Sequence, residues 1–279
     1  VIVMQLRCSF RLYPNGPQPA ALARAFGCAR VVYNDALRAR ETARAAGESF
    51  PKSAELSKLL ITEARKTPAR VWLSEVSAVV LQQSLRDLDA AYRNFFDGLK
   101  GKRPRMGAPR LKSRKDSRVC ALHRERRLED HFPWRPVVAE GWQGAGEWSR
   151  SLPSVPPSLT VVKDAAGRYF ASFVVETEPE TPPDTDSVVG IDLGLGHFAV
   201  LSDGTNVDAP RFLRRAEKKL KRTQRALSRK AKGSKIWDKA RVKAARAHAR
   251  VSDARREFHH QLSTKLIREN QAVAVEDLG

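Results

Sequence analysis

Two acidic residues stand where the chain could offer a carboxylate to a divalent cation. In Val188 to Gly204, VVGIDLGLGHFAVLSDG, an apolar run delivers Asp192 to a strand end, glycines follow, and a second apolar run closes on Asp-Gly. Far downstream, Ala272 to Leu278 reads AVAVEDL, a second short buried-strand pattern, and it delivers Glu276 in the same way. Strand-borne carboxylates of this kind suit magnesium, a hard cation that takes oxygen ligands. Two further acids lie close by. Asp203 falls in an expected Asp-Gly turn, and Asp277 should leave the opposite strand face from Glu276, so neither reads as a third ligand.

The elements around these acids follow from periodicity. Residues 211–270 are almost all helix formers, broken once at Lys-Gly-Ser around Gly233, and predict a helical hairpin. Leu213, Leu220 and Leu227 repeat every seven residues in its first arm, while Val251, Phe258, Leu262 and Leu266 mark the second. His259 and His260 read as helix-surface residues, since no Asp or Cys sits four residues away to share a metal. At the other end, residues 1–15 alternate, with Val3, Leu6, Phe10 and Leu12 among polar neighbours, and close on Tyr-Pro-Asn-Gly as a strand entering a turn. From about 18 to 99 the period is helical. Leu22, Ala25, Phe26, Ala29, Val32 and Tyr33 share one face; Val79, Leu81, Leu85, Leu88, Tyr92, Phe95 and Phe96 share another. SLTVVKDAAGRYFASFVVE, 158–176, alternates on both sides of a turn and predicts a β-hairpin. ETEPETPPDTDS follows as an acidic, proline-rich linker over about 177–187.

Charge narrows the partner. The 279 residues carry 51 Lys and Arg against 31 Asp and Glu, a net charge of +20, with an apolar fraction of 42% that can build cores. A folded and strongly basic protein has nucleic acid as its expected partner, against the blander reading of a merely soluble surface. Between 100 and 118, KGKRPRMGAPRLKSRKDSR has too much Gly and Pro for a long helix, and it offers Lys102, Arg103, Arg105, Arg110, Lys112, Arg114 and Lys115 to a phosphate backbone. It reads as an extended basic arm or as a plain linker that orders on binding. The helical hairpin adds Lys218, Lys219, Lys221, Arg222, Arg229, Lys230 and Lys232, and is either a simple antiparallel pair or the basic wall of a nucleic-acid channel. Arg24, Arg30, Arg38 and Arg40 in the first helical stretch fit a helix-turn-helix on DNA, or only the wet face of a helix. No apolar run approaches the roughly 20 residues that span a bilayer, and the N-terminus lacks a signal-peptide layout, so a cytoplasmic, nucleoid-associated location is expected.

Taken in order, FRLYPNGPQ, GCARVVYNDAL, WLSEV, LQQSLRDLDAAYRNFF, GAPRLKSRKDS, GIDLGLGHFAVLSDG and AVEDLG resemble the TnpB, or OrfB-type, transposon-encoded proteins related to type V CRISPR effectors. The resemblance runs over nearly the whole chain. It implies an α+β protein: an N-terminal β-barrel with a helical insert, filling residues 1–176, then an RNase H-like (RuvC-like) nuclease domain over 188–279. It also implies an RNA-guided DNA endonuclease and transposase-associated protein whose guide RNA comes from the transposon end and whose target is DNA. In such a mechanism Asp192 bridges two magnesium ions, Glu276 holds one, and a third carboxylate completes the cage.

The chain departs from that pattern in three places. The family carries a C-x-x-C zinc ribbon and a third metal-binding aspartate after the second acidic motif, whereas Cys8, Cys28 and Cys120 lie far apart and the chain ends at Gly279. No zinc is therefore expected, the nuclease domain is expected to be truncated and incomplete, and catalysis impaired. The block 119–147 has neither strand nor helix periodicity; reading a back-translation one nucleotide along yields a family-like phrase, which suggests a pair of compensating frameshifts. Val1 could reflect a GUG start codon, with Met4 as the alternative. Two further readings stay open: a noncatalytic RNA-guided DNA-binding protein, and an unrelated basic RNA-binding structural protein.

Overall fold

The computed structural model describes residues 4–113, 118–123, 152–154, 156, 158–179, 185–194 and 196–276. The chain divides into two compact units, one of Val1–Asp164 with Arg168–Glu178, the other of Ala165–Gly167 with Pro179–Gly279.

The first unit is a sheet covered by helices. Strand β1, Met4–Leu12, alternates inward Cys8, Phe10 and Leu12 with outward polar residues, as a strand with one wet face must. Leu6 shares their parity but is 39% exposed, at the end of the buried stretch. The chain then turns at Tyr13-Pro-Asn-Gly, where Gly16 takes a φ of +49° and Gln18 N donates to Asn15 O. Helix α1, Gln18–Ala45, follows at once, with Pro17 just before it supplying a φ suited to a first turn. Its buried stripe includes Leu22, Ala25, Phe26, Ala29, Val32 and Tyr33, the face expected from the sequence, and continues to Leu37. It ends where Gly47 adopts φ +70°.

A short helix α2, Ser53–Ser57, then a π-helical turn at Lys58–Glu63 and 3-10 turns at Ala64–Lys66 and Val71–Glu75, lead to helix α3, Ala78–Leu99. Ser77 caps α3 by accepting from Val79 N at 3.3 Å. Val80, Leu81, Leu85 and Leu88 bury its inner face against α1, while Phe96 remains 44% exposed.

Strands β2, Arg118–His123, β3, Ser158–Lys163, and β4, Tyr169–Thr177, complete an antiparallel sheet of order β1-β4-β3-β2. Among the described residues β1 and β2 do not pair, so the expected barrel is here an open four-stranded sheet. The opening residues of the block that lacked periodicity, 119–123, are strand because β3 supplies their hydrogen-bonding partners, Arg118 opposite Lys163 through His123 opposite Ser158. Residues 124–147 of that block lie outside the described residues. The predicted hairpin between β3 and β4 closes on Asp164 to Arg168, with Gly167 at φ +81° and Arg168 N donating to Asp164 Oδ1 at 2.8 Å. Phe10 and Phe173 meet edge to face across β1 and β4, with Val161, Ala171 and Val175 beside them in the core.

The second unit holds a smaller sheet, order β7-β6-β5-β8, and a helical hairpin. Strands β5, Val188–Asp192, β6, Ala199–Leu201, and β7, Asn206–Val207, run antiparallel in sequence. Helices α4, Phe212–Ser228, and α5, Lys235–Glu269, then carry the chain away and back to β8, Ala272–Val275, which lies parallel to β5. The hairpin turns where Gly233 takes φ +95°, and Ser234 caps α5 by accepting from Trp237 N at 3.1 Å. The expected seam is kept at Leu220 and Val251 but not in its seven-residue spacing. Leu213 is 48% exposed, and the contact runs through Phe212, Ala216 and Leu220 against Ala247 and Val251. A four-residue spacing of this kind is a ridge of i±4 neighbours, the usual way two helices interdigitate without supercoiling over many heptads. Phe258, flagged for the seam, instead meets Phe198 and Phe212 edge to face at 5.2 and 6.0 Å, joining both helices to the chain entering β6.

Candidate metal and nucleic-acid sites

Asp192 ends β5, and Glu276 follows β8 by one residue. The two strands are parallel, with Val188 opposite Ala272, Val189 opposite Val273, Gly190 opposite Ala274 and Ile191 opposite Val275. Continued one step past the last pair, that register brings Asp192 level with Glu276 at the common carboxyl end of two strands that lie about 5 Å apart. Register partners in a parallel pair leave the sheet on the same face. Both residues are exposed, and among the described residues neither has an ion-pair partner.

Local chemistry sets this register. Ser187 Oγ donates to Asn270 Oδ1 at 2.8 Å, Gln271 N donates to Ser187 O at 2.8 Å, and Asn270 Nδ2 donates to Leu266 O at 2.9 Å. Asn270 thus ends α5 and fastens the start of β8 to the start of β5. Neither Ser187 nor Asn270 stood out as a site residue in the sequence. The available signal was an Asn at a helix end directly before an apolar run, a helix stop.

The other acids do different work. Asp203 Oδ1 accepts from Thr205 N at 2.8 Å in a turn where Gly204 has φ +86°. Those hydrogen bonds from Thr205 hold its carboxyl below the usual range, and they commit it to its own turn. Asp208 Oδ1 faces His197 Nδ1 at 3.1 Å. Asp277 lies outside the described residues. No group of three or more His, Cys, Asp or Glu positioned for a metal occurs among the described residues. The donor set at the strand ends, two carboxylates on one edge of the sheet, fits magnesium, which commonly takes one or two protein carboxylates and fills its shell with water and phosphate oxygens.

The basic segment after α3 is anchored. Lys102 N donates to Asp97 O, Arg103 bonds Asn94, and the backbone of Pro104 to Met106 passes so close to Gly98 that a Cβ there would lie 3.1 Å from Met106 N. Farther on, Asn34 on α1 takes both backbone groups of Lys112, accepting from its N at 2.8 Å and donating to its O at 2.9 Å, while Lys112 Nζ sits 3.8 Å above the Tyr33 ring. Lys102, Arg103, Arg105 and Arg110 are exposed along this path. Arg114 and Lys115 lie outside the described residues.

On the hairpin, Lys218, Lys219 and Arg222 are exposed on α4, and Arg229, Lys230 and Lys232 stand in the connection to α5. Lys221 pairs with Glu217 at 2.6 Å, which lowers the Glu217 pKa and neutralises part of that stretch.

Among the arginines of the first helix, Arg40 needs correction. Residues 18–45 are one uninterrupted helix, and α2 follows it only after the turn at Gly47. Arg40 is 3% exposed: its Nη2 lies 2.6 Å from Asp89 Oδ1, its Nε donates to Pro51 O, and its guanidinium packs over Phe50 and Tyr92. It is a core charge and not a phosphate ligand. Arg24 pairs with Glu75 at 3.3 Å. Arg30 is half-buried and Arg38 exposed.

These features define a mixed α and β, strongly basic protein with a carboxylate pair at one sheet end. Residues 172–279 match the OrfB/IS605 family pattern described as "Probable transposase", and residues 4–49 match that family's "Helix-turn-helix domain". The chain belongs to this OrfB/TnpB family of transposon proteins. A protein of Streptomyces pristinaespiralis named "Putative RNA-guided DNA endonuclease" is 44% identical over 275 residues, 96% of this chain and 66% of its own length. InsQ of Escherichia coli, which carries the same description, is 32% identical over 270 residues, 96% of this chain and 65% of its own. The chain thus spans just under two thirds of the length of these relatives. A solved structure of Cas12f1 with sgRNA and target DNA superposes with a TM-score of 0.50 at 12% identity, over 94% of this chain and 65% of that one, a likeness of fold. No helix among the described residues is long and apolar enough to cross a membrane.

Proposed function

We propose that the chain is the guide-RNA-binding and DNA-binding part of an RNA-guided DNA endonuclease, with an RNase H-like sheet whose Asp192 and Glu276 form its metal-binding edge. The observation that carries this reading is the parallel register of β5 and β8, which sets the two acids side by side although 83 residues of chain separate them. The strand order, three antiparallel strands with a fourth parallel to the first after a helical excursion, supports it. Family membership supports the partner class.

In this reading Asp192 and Glu276 hold magnesium, which when bound supplies an activated water and stabilises the leaving oxygen. Lys218, Lys219, Arg222, Arg229, Lys230 and Lys232 track the backbone of an RNA and DNA heteroduplex by charge, while base pairing chooses the sequence. Lys102, Arg103, Arg105, Arg110 and Lys112, fixed by Asn34 and Gly98, give a second backbone contact, continued by Arg114 and Lys115. With two carboxylates described, cleavage by the chain alone is expected to be weak, and RNA-guided DNA binding without cleavage is the second reading.

The test is purification from cells that also express RNA from the transposon end, followed by sequencing of bound RNA and a nicking assay on supercoiled plasmid bearing the matching target, with magnesium. Bound RNA and guide-matched nicking that Asp192→Asn abolishes support the nuclease reading. Bound RNA and guide-matched retention of plasmid without nicking support the second. Absence of both guide-matched outcomes sinks the two together.

A further inference from the structure

The aromatic end of α3 is not used by any contact proposed above. Tyr92 and Phe96 lie one turn apart, their rings stacked at 6.0 Å and 21°, and Phe50 meets Tyr92 edge to face at 5.0 Å. Phe50 and Phe96 are 42% and 44% exposed, with Leu99 beside them at 53%. Two exposed rings joined through a half-buried third make a larger apolar surface than isolated apolar residues do, and such a patch marks a contact site more often.

The rings are held from behind. Arg40 presses its guanidinium against Phe50 at 4.8 Å and Tyr92 at 5.5 Å, and is itself fixed by Asp89 and the Pro51 carbonyl. Ser53 donates to the other oxygen of Asp89. Phe50 and Tyr92 therefore stand in set orientations, with Phe96 stacked on Tyr92, and little side-chain entropy is left to lose when something stacks on them.

The border of the patch is basic. Arg44 stands one turn beyond Arg40 on α1, Arg93 follows Tyr92 on α3, and Lys100 and Lys102 follow where the chain leaves α3; all four are exposed, against Glu41, Glu48 and Asp97 as the nearby acids. Exposed π-faces bordered by cations suit a strand with unpaired bases: each base has a face to stack, and its phosphates need positive charge. A duplex, whose bases already stack on one another, offers no face.

We propose that Phe50 and Phe96, braced by Tyr92 between them, form a stacking platform for unpaired bases of a single-stranded stretch of RNA, with Arg44, Arg93, Lys100 and Lys102 on its phosphates. RNA is chosen because single-stranded loops and ends are its usual recognition elements. That choice rests on the RNA-carrying reading above.

The test uses the full chain and fluorescence anisotropy with two labelled probes, an unstructured RNA of about 12 nucleotides and an RNA duplex of the same length. Phe96→Leu and Phe50→Leu keep an apolar side chain and remove the ring. Each is expected to weaken single-strand binding about 5- to 100-fold, the loss of one base stack, with duplex affinity and salt dependence unchanged. Unchanged single-strand affinity in both variants overturns the proposal, as does an equal loss on both probes. Wild-type self-association in sedimentation that Phe96→Leu abolishes also overturns it, since the patch would then serve a second copy of the chain. If one variant fails to fold, the other carries the test. Added oligonucleotide reads the platform directly, whereas RNA recovered from cells and plasmid nicking read the functional proposal, so the two fail separately.

Discussion

Ser187 and Asn270 join the first strand of the smaller sheet to the last, the serine hydroxyl donating to the asparagine side-chain oxygen at 2.8 Å. With Gln271 N on Ser187 O beside it, this clasp begins the parallel register that ends at Asp192 and Glu276. A contact at one end of the strands thus sets the spacing of the acids at the other.

Asn270→Ala removes both the clasp and the bond that closes α5 on Leu266. The expected loss is on the order of 1 kcal/mol, about 3 °C in melting temperature for a chain of this size. Manganese titration should show weaker binding than wild type although both carboxylates remain. Unchanged metal affinity would separate the clasp from the site.

Asp192→Asn and Glu276→Gln should have opposite effects on stability and metal binding. Two like charges side by side on neighbouring strands cost roughly 0.2–1 kcal/mol, so either substitution should raise the melting temperature slightly in EDTA. The same substitutions should remove the stabilisation that magnesium gives to the wild type. Thermal melts with and without magnesium report both.

Asp89→Ala leaves Arg40 buried without its carboxylate. A stranded charge of this kind costs about 3 kcal/mol or more, so the first unit should be strongly destabilised in urea. Replacing both residues with apolar side chains, Arg40→Met with Asp89→Leu, should recover much of that loss. The double variant should also bind nucleic acid with wild-type salt dependence, because Arg40 reaches no phosphate.

Burial pushes the Cys28 thiol up from its ordinary value near 9 to about 11, with Glu75 adding to the effect. Below pH 9 the thiol is neutral folded or unfolded, and its contribution to stability is fully present; between pH 9 and 11 the unfolded chain ionises first, and that stability is lost. Cys28→Ala should flatten the decline in stability over this window, measured by urea midpoints at stepped pH. Iodoacetamide at pH 8 should label Cys28 only after unfolding.

Lys218→Ala and Arg222→Ala should each reduce the slope of log affinity against log salt for duplex DNA by about 0.9, the share of one phosphate contact. Lys221→Ala should reduce it less, since Glu217 already pairs with it.

Much of this was written in local pattern. Alternation marked β1 and the β3–β4 hairpin, and the 3.6-residue period marked the inner face of α1 and, at Leu81, Leu85 and Leu88 though not at Val79 or Phe96, that of α3, because burial on one side of a strand or helix imposes a period that the chain must carry. Asp192 and Glu276 were legible as acids at the ends of apolar runs, and net charge pointed to nucleic acid. Tertiary structure alone decided which of these residues meet. A parallel strand pair across a long helical excursion set the two acids side by side, a relationship without local signature because pairing partners distant in sequence leave no period. Arg40 looked like any helix-surface arginine until Asp89, 49 residues away, took it into the core. Leu213 kept a seven-residue rhythm and remained in solvent, because the partner helix offered its groove to Phe212, Ala216 and Leu220. Composition specifies what each side chain can do, and long-range packing selects which of those capacities face one another.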